Sequence, residues 1–376
     1  MLKMFEVENF KGFSKRLVFD LTAREYEFNQ NLTENGIVKK AIIYGKNGVG
    51  KSTLGIALFD IVSHLTDKER ISFLYLQNYI CLENIMEPAS FKYTFNFDND
   101  IVVYEYKKWD PDNLVSEKLS VNDNILIDYN YENDTSNNNF IDDSIKGSLN
   151  IKLVDNKLSV IKYIYRNTPI DNDSVITKLV HFCENMLWYR RLSEGSSYAG
   201  FSNGNNSFFD FIYERGKTHE LQDFLKRNNV DYQLEFEAVN GRRELIAYFN
   251  NGNTKTLFST VASAGTMALA QYFAWKAIAF DKVSFLFIDE FDAFLHFESA
   301  KFIVEELNKQ KNFQSIVTTH NTYLMQNKLT RPDCCYLMTQ NKIASLFNST
   351  DKEIREAHNL EKMYVNGAFI VKQEEL

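Results

Sequence analysis

The segment Gly45-Lys-Asn-Gly-Val-Gly-Lys-Ser-Thr53 constrains this chain more than any other, because it satisfies Gly-x-x-x-x-Gly-Lys-[Ser/Thr] at every fixed position. Apolar Ala41-Ile-Ile-Tyr44 precedes it and reads as a buried strand. Apolar residues at helical spacing from Leu54 to Leu65 follow it. A strand, a glycine-rich turn and a helix opening with its positive end toward the turn together make a phosphate-binding loop. Backbone N–H groups of Gly45, Lys46, Asn47, Gly48, Val49 and Gly50 would close around the phosphates, with Thr53 completing the loop. Lys51 would reach the β and γ oxygens, and the Ser52 hydroxyl would serve Mg²⁺. Taken alone the motif is also compatible with a solvated Gly-Lys turn, so the rest of the chain has to decide.

Two further segments supply what a phosphate loop lacks. Val283-Ser-Phe-Leu-Phe-Ile288 is an apolar run of buried-strand type that ends in Asp289-Glu290. The first acid suits a Mg²⁺ shell and the second the polarisation of an attacking water. Ser315-Ile-Val-Thr-Thr319 is a β-branched run that delivers His320 and Asn321 at its end, placing a His where it could touch a γ-phosphate. Either run alone would be a strand entering a polar loop.

Ala262-Ser263-Ala264-Gly265-Thr266 precedes the apolar stretch Met267 to Phe280. It resembles a degenerate signature motif of ABC-type ATPases, with Ser263 as the signature serine and Gly265 as its second glycine. Ala264 and Thr266 depart from the usual Gly and Gln. By itself the segment could equally cap a core helix. Together with Asn47, the opening Phe5-Glu-Val-Glu-Asn-Phe-Lys-Gly-Phe13, the loop Asp289 to His296, the ending Thr-Thr-His-Asn and His358 to Gly367, it makes the chain similar to the RecF, Rad50 and SMC branch of these ATPases. More narrowly it resembles the compact "AAA-15" ATPases of bacteria and archaea. The resemblance covers both ends well and the middle, residues 104–231, poorly.

That resemblance implies an α/β fold: a P-loop ABC-type ATPase head of two lobes, with an antiparallel β subdomain, a helical insertion and no long coiled coil. It implies ATP and Mg²⁺ as cofactors, with Glu290 and His320 catalytic, Ser52 and Asp289 on the metal, and Ser263 and Gly265 facing nucleotide on a neighbouring subunit. The partner would be a second copy, in a head-to-tail dimer or a higher assembly of dimers. Many relatives belong to phage-defence systems, including the PARIS type, in which such an ATPase controls a separately encoded effector such as a TOPRIM-like nuclease in response to a phage trigger. A RecF-like DNA-maintenance ATPase is the alternative. A self-contained nuclease fits poorly, since about 29 residues follow Phe347.

Boundaries expected for this single head, residues 1–376, are a P-loop lobe at 1–120, a variable insertion at 121–255, a signature lobe at 256–350 and a C-terminal helix and tail at 351–376. Alternation in Phe91 to Phe97 and Ile101 to Tyr106 predicts a hairpin about Asp98-Asn-Asp100, and Tyr232 to Phe236 with Glu244 to Phe249 predicts another about Asn240-Gly241. Acids at 98, 100, 171 and 173 could suggest nuclease metal ligands, although turn chemistry accounts for them. Asn122 to Ser148 reads as exposed loop or weak strand, and Gly195 to Asn206 as a mobile loop. Helices are expected over Ser174 to Arg191, Phe208 to Arg215, His219 to Asn228 and Asp351 to Met363, and a last hairpin over Cys335 to Thr339 and Lys342 to Phe347. Gln77, at a plausible chain distance, is a candidate Q-loop glutamine that could equally lie on a helix face. Asp292 to His296 would cross a dimer interface, where His296 could instead cap its own loop.

With 44% hydrophobic residues and 31 Phe the chain can bury a large core. Cys81, Cys183 and the adjacent Cys334-Cys335 match neither zinc spacing nor a disulfide framework, and no apolar run approaches a membrane span, so a cytoplasmic protein without a membrane partner is expected. The net charge is −8, and Lys107-Lys108, Arg190-Arg191, Lys226-Arg227 and Arg242-Arg243 are scattered pairs that read as solvated faces. The isolated protein should therefore bind duplex DNA only weakly, with affinity collapsing as salt rises. An anisotropy titration at two salt concentrations, with and without ATP, checks this; tight binding at physiological salt would favour the RecF-like alternative.

Overall fold

A computed structural model describes residues 1–68, 77–132, 140–141, 157–192, 195–200 and 208–371. Two seven-stranded sheets form its frame. The first is antiparallel, in the order β10 (Phe140–Ile141), β9 (Asn124–Asn130), β8 (Leu114–Val121), β7 (Asp100–Lys108), β6 (Ala89–Phe97), β1 (Leu2–Glu8) and β2 (Leu17–Asp20). The second has the order β12 (Gly195–Gly200), β11 (Met186–Leu192), β16 (Phe285–Asp289), β17 (Gln314–Thr319), β5 (Lys40–Gly45), β18 (Cys335–Thr339) and β19 (Lys342–Ser345). From β11 to β18 the strands run parallel, and the two outer strands are antiparallel. Small ribbons β3 (Thr33–Glu34) with β4 (Ile37–Val38), and β13 (Gln233–Val239), β14 (Arg242–Phe249) and β15 (Thr254–Leu257), complete the strands.

Strand alternation sorts the core into layers. Odd residues Ala41 and Ile43 of β5 join Leu54, Ala57 and Leu58 of α1 (Lys51–Leu58) and Phe91 and Tyr93 of β6 in one cluster. Even residues Ile42 and Tyr44 join a second cluster on the opposite face, with Leu269 and Phe273 of α8 (Ala264–Ala279) and Ile303 of α9 (Phe297–Lys309). The phosphate-loop helix is thus sandwiched between the two sheets, and α8 lies outside the parallel one. Cys334 and Cys335 divide between the same two clusters, which is the opposite-face placement that alternation requires, and both are fully buried.

All three expected hairpins form. Asp98 turns the first with φ 56°, and Asn240 and Gly241 turn the second with φ 49° and 76°. Several expectations need correction. The run Leu54 to Leu65 is two helices, α1 and α2 (Asp60–Leu65), broken at Phe59, where ψ is 0°. The helix expected to Arg191 stops at Glu184 as α4 (Val175–Glu184), and Met186 to Leu192 becomes an interior parallel strand. Met186-Leu-Trp-Tyr189 is a continuous apolar run, which suits a strand covered on both faces better than one helix stripe. Gly195 to Gly200 pairs with it as an edge strand rather than forming a loop, while residues 201–206 lie outside the described ones. Of the two readings for Asn122 to Ser148, the strand holds over Asn124 to Asn130, and most of 133–148 lies outside the described residues. The closing helix is only α10 (Leu360–Val365), started by the Asn359 side chain accepting from the Lys362 N–H, and the last hairpin ends at Ser345.

The other insertion helices are α3 (Val160–Asn167), α5 (Phe208–Glu214), α6 (Thr218–Arg227) and the short α7 (Phe258–Val261). Among the described residues the longest helix is α8, with 16 residues. No helix there is long and apolar enough to cross a membrane.

Lys108 corrects the reading of Lys107-Lys108 as a solvated pair, because its ammonium lies 2.8 Å from Asp60 Oδ1 and both side chains are wholly buried. Asp60 also accepts from Tyr79 Oη at 2.9 Å and Tyr106 Oη at 3.0 Å. This pins the start of α2 to the antiparallel sheet. Removing one partner of a buried pair leaves the other charge uncompensated, so Lys108→Met should destabilise the fold by about 3–5 kcal/mol. Exposed Lys107→Met should stay within about 0.5 kcal/mol, and urea denaturation of both variants checks the contrast.

Candidate nucleotide site

Every residue of the site leaves the carboxyl end of a parallel strand, where open α/β sheets form their crevices. From β5 the loop passes through Gly48 at φ 78° and Gly50 at φ 104° into α1, a left-handed path that favours glycine. A Cβ on Gly50 would also stand 2.8 Å from Phe13 Cε1, and one on Gly45 2.8 Å from the Met338 carbonyl oxygen. Lys51 folds back over this loop, donating to the carbonyl oxygens of Gly45 at 2.8 Å and Lys46 at 3.1 Å, with His320 Nε2 at 3.1 Å. A cleft of about 780 Å³ opens beside it, lined by Asn47, Gly48, Ser52, Glu290, His320 and Asn321 among others. Burial pushes the Lys51 ammonium below its ordinary value, and the Glu290, Asp289 and Asp292 carboxylates pull it back up.

Thr318 organises the acids. Its hydroxyl donates to Asp289 Oδ1 at 2.8 Å and accepts from the Glu290 N–H at 2.7 Å. One residue later the Thr319 hydroxyl donates to Asp292 Oδ2 at 2.6 Å and accepts from the Asn321 N–H at 2.8 Å. The strand bearing His320 thereby fixes the backbone and side chains of the strand bearing the acids. Glu290 itself sits at φ 48°, a conformation that a non-glycine residue holds only when its surroundings impose it. Burial pushes the Asp289 carboxyl above the usual carboxylate range, opposed by hydrogen bonds from Ser52 and Thr318.

Asp289 Oδ2 is buried and receives no hydrogen bond. That oxygen, with Arg190 Nε 3.5 Å away, and the Ser52 hydroxyl that meets the same carboxylate are hard oxygens suited to Mg²⁺ at a loop built for phosphate. The residues present therefore fit Mg²⁺ and a nucleoside triphosphate.

Other sequence candidates lie elsewhere. Val49 packs against the core rather than lining the cleft, and Lys46 contributes backbone. Ser263 caps α8, its hydroxyl accepting from the Thr266 N–H at 3.1 Å, and neither Ser263 nor Gly265 lines this chain's own cleft. A Cβ on Gly265 would lie 2.6 Å from the Phe294 carbonyl oxygen, so the start of α8 touches the loop that follows Glu290. Gln77 is exposed and offers its carbonyl to Lys11, away from the cleft. His296 stands at the N-cap of α9 without a side-chain cap, its ring 5.0 Å from that of Phe297.

Arg190, read from sequence as half of a solvated pair, belongs to the site instead. Its Nη2 donates to Glu290 Oε2 at 3.0 Å and its Nε stands 3.5 Å from Asp289 Oδ2. The signal for this was present: Arg190 directly follows the apolar run that forms β11, as Asp289 closes β16.

A protein-family model described as "AAA domain, putative AbiEii toxin, Type IV TA system" matches residues 40–326, from the strand before the phosphate loop to just past His320. No curated protein matches the sequence. Among solved structures, an SMC head bound to the C-winged helix domain of ScpA is 16% identical, with 92% of this chain and 97% of that chain covered at a TM-score of 0.45. The SMC head domain from Thermotoga maritima is 15% identical, with 91% and 97% covered at 0.41. An Smc head with an extended coiled coil, bound to the C-terminal domain of ScpA and derived from Pyrococcus furiosus, is 14% identical, with 92% and 97% covered at 0.45.

Proposed function

This chain belongs to the AAA-domain family whose model spans residues 40–326, and on that premise we propose that it is an ATP-hydrolysing, Mg²⁺-dependent molecular switch. The observation that carries the reading is the convergence of Lys51, Ser52, Glu290 and His320 on one cleft, with buried Asp289 meeting the Ser52 hydroxyl beneath it. Lys51 binds the phosphates in exchange for the two loop carbonyls it now contacts. Ser52 and Asp289 hold Mg²⁺, which neutralises charge on the phosphates when bound. Glu290 orients and polarises water, and His320, beside Lys51, contacts the γ-phosphate. The loop amides from Gly45 to Thr53 wrap the remaining oxygens.

Ser263 and Gly265 complete the site of a second copy, in a head-to-tail dimer or an assembly of such dimers; that neither lines its own cleft and that Ser263 is exposed support this. The P-loop lobe (1–120) and signature lobe (256–350) then flank the insertion (121–255). Nucleotide binding favours the closed assembly and hydrolysis releases it. We place this switch in anti-phage defence, as the sensor that controls a separate effector such as a TOPRIM-like nuclease in response to a phage trigger. The family's description as a toxin of a toxin–antitoxin system supports that setting, as does the resemblance to compact defence ATPases.

Glu290→Gln keeps shape and hydrogen bonding but removes the base. ATP should still bind while turnover falls by about 10²- to 10⁴-fold, roughly 3–5 kcal/mol of barrier. Lys51→Ala should weaken binding itself. Turnover of the Gln variant close to wild type would remove Glu290 from this role.

A further inference from the structure

We propose that Arg190 is the positioning residue for Glu290: its guanidinium holds the carboxylate in the one direction from which it can act on water. This rests on the reading of Glu290 given above. The parallel register places Arg190 of β11 directly beside Asp289 of β16. Its side chain leaves the strand on the same face as Trp188, two residues earlier, whose indole lies against Gly55 of α1. Sheet geometry thus aims the guanidinium at the end of the acid-bearing strand, on the phosphate-loop side.

The backbone of Glu290 is already fixed, by the Thr318 hydroxyl on its N–H and by the turn at φ 48°. What stays free is a long side chain, 29% exposed, that must present an oxygen within hydrogen-bond reach of a water. Among the described residues Arg190 is the side chain that holds that carboxylate, through Nη2 at 3.0 Å. The same guanidinium stands by Asp289, so one positive charge offsets two adjacent negative ones. Arg190 is not among the residues lining the cleft, so its influence on the reaction passes through the carboxylates it contacts, and its hydrogen bond is to Glu290.

The test compares Arg190→Ala, Arg190→Lys, Glu290→Gln and the Ala/Gln double variant of the full chain. Steady-state turnover is read with Mg²⁺, and binding of a fluorescent ATP analogue is read in EDTA. Arg190→Ala should lower kcat about 10- to 100-fold while KM and the metal-free Kd move less than about threefold. Arg190→Lys should recover part of the loss, and the double variant should be no slower than Glu290→Gln, since both lesions act on one group. Should Arg190→Ala fail to fold, Arg190→Gln replaces it under the same criteria. Turnover of the Ala variant near wild type, or losses that multiply in the double variant, would overturn the proposal. So would weakened metal-free binding, which would put Arg190 on the phosphates. Wild-type turnover in Glu290→Gln would instead strike the reading of Glu290 and is visible separately.

Discussion

Parallel pairing of β11, β16, β17 and β5 is the constraint on which the rest of this structure depends. Parallel strands all end on the same side, so Arg190, Asp289, Thr319 and Gly45 reach one edge of the sheet although they lie far apart in sequence. A slip of one residue in β17 would turn Thr318 away from Asp289 and the Glu290 N–H, and would move His320 off Lys51. Such strands must be covered on both faces, and here α1 covers one and α8 and α9 the other. The same helices that satisfy this burial bring the phosphate loop to the edge and set Ser263 at the exposed start of α8.

Much of this was legible in the sequence because the decisive segments are local. The phosphate loop, the strand ending in Asp289-Glu290 and the strand ending in His320 each declare themselves by a short apolar run and the polar residue that stops it. Hairpins at Asp98 and Asn240 were equally plain, since turns with positive φ admit few residue types. What failed was non-local. Met186 to Tyr189 followed a helix closely enough to be absorbed into its periodicity, and only pairing with β16 makes it a strand. With the strand missed, Arg190 fell back to a surface charge. Lys108 was misread for the same reason: an alternating strand buries every second residue, and its partner Asp60 is 48 residues away. Gln77 was sought as a site glutamine by chain distance alone, which says nothing about where a loop packs.

Gly265 shows how a motif residue can serve two purposes. Its missing side chain admits the Phe294 carbonyl, joining the exposed start of α8 to the loop that follows Glu290. The start of α8, which on the proposed reading meets a partner's nucleotide, is thus packed directly against the loop beside this chain's own acid.

The central claim is that each working site is shared between two copies, and complementation tests it most directly. Lys51→Ala disables the phosphate loop. Ala264→Asp places a carboxylate at the exposed first position of α8, which a helix N-terminus accepts without loss of fold, where a partner's γ-phosphate would sit. Each variant alone should be inactive. Mixed, half of the randomly exchanged dimers carry one intact interface, and roughly a quarter of wild-type turnover should return if sites act independently. Turnover no greater than that of the separate variants, with subunit exchange shown by fluorescence transfer, or full activity in Ala264→Asp alone, would contradict the shared site.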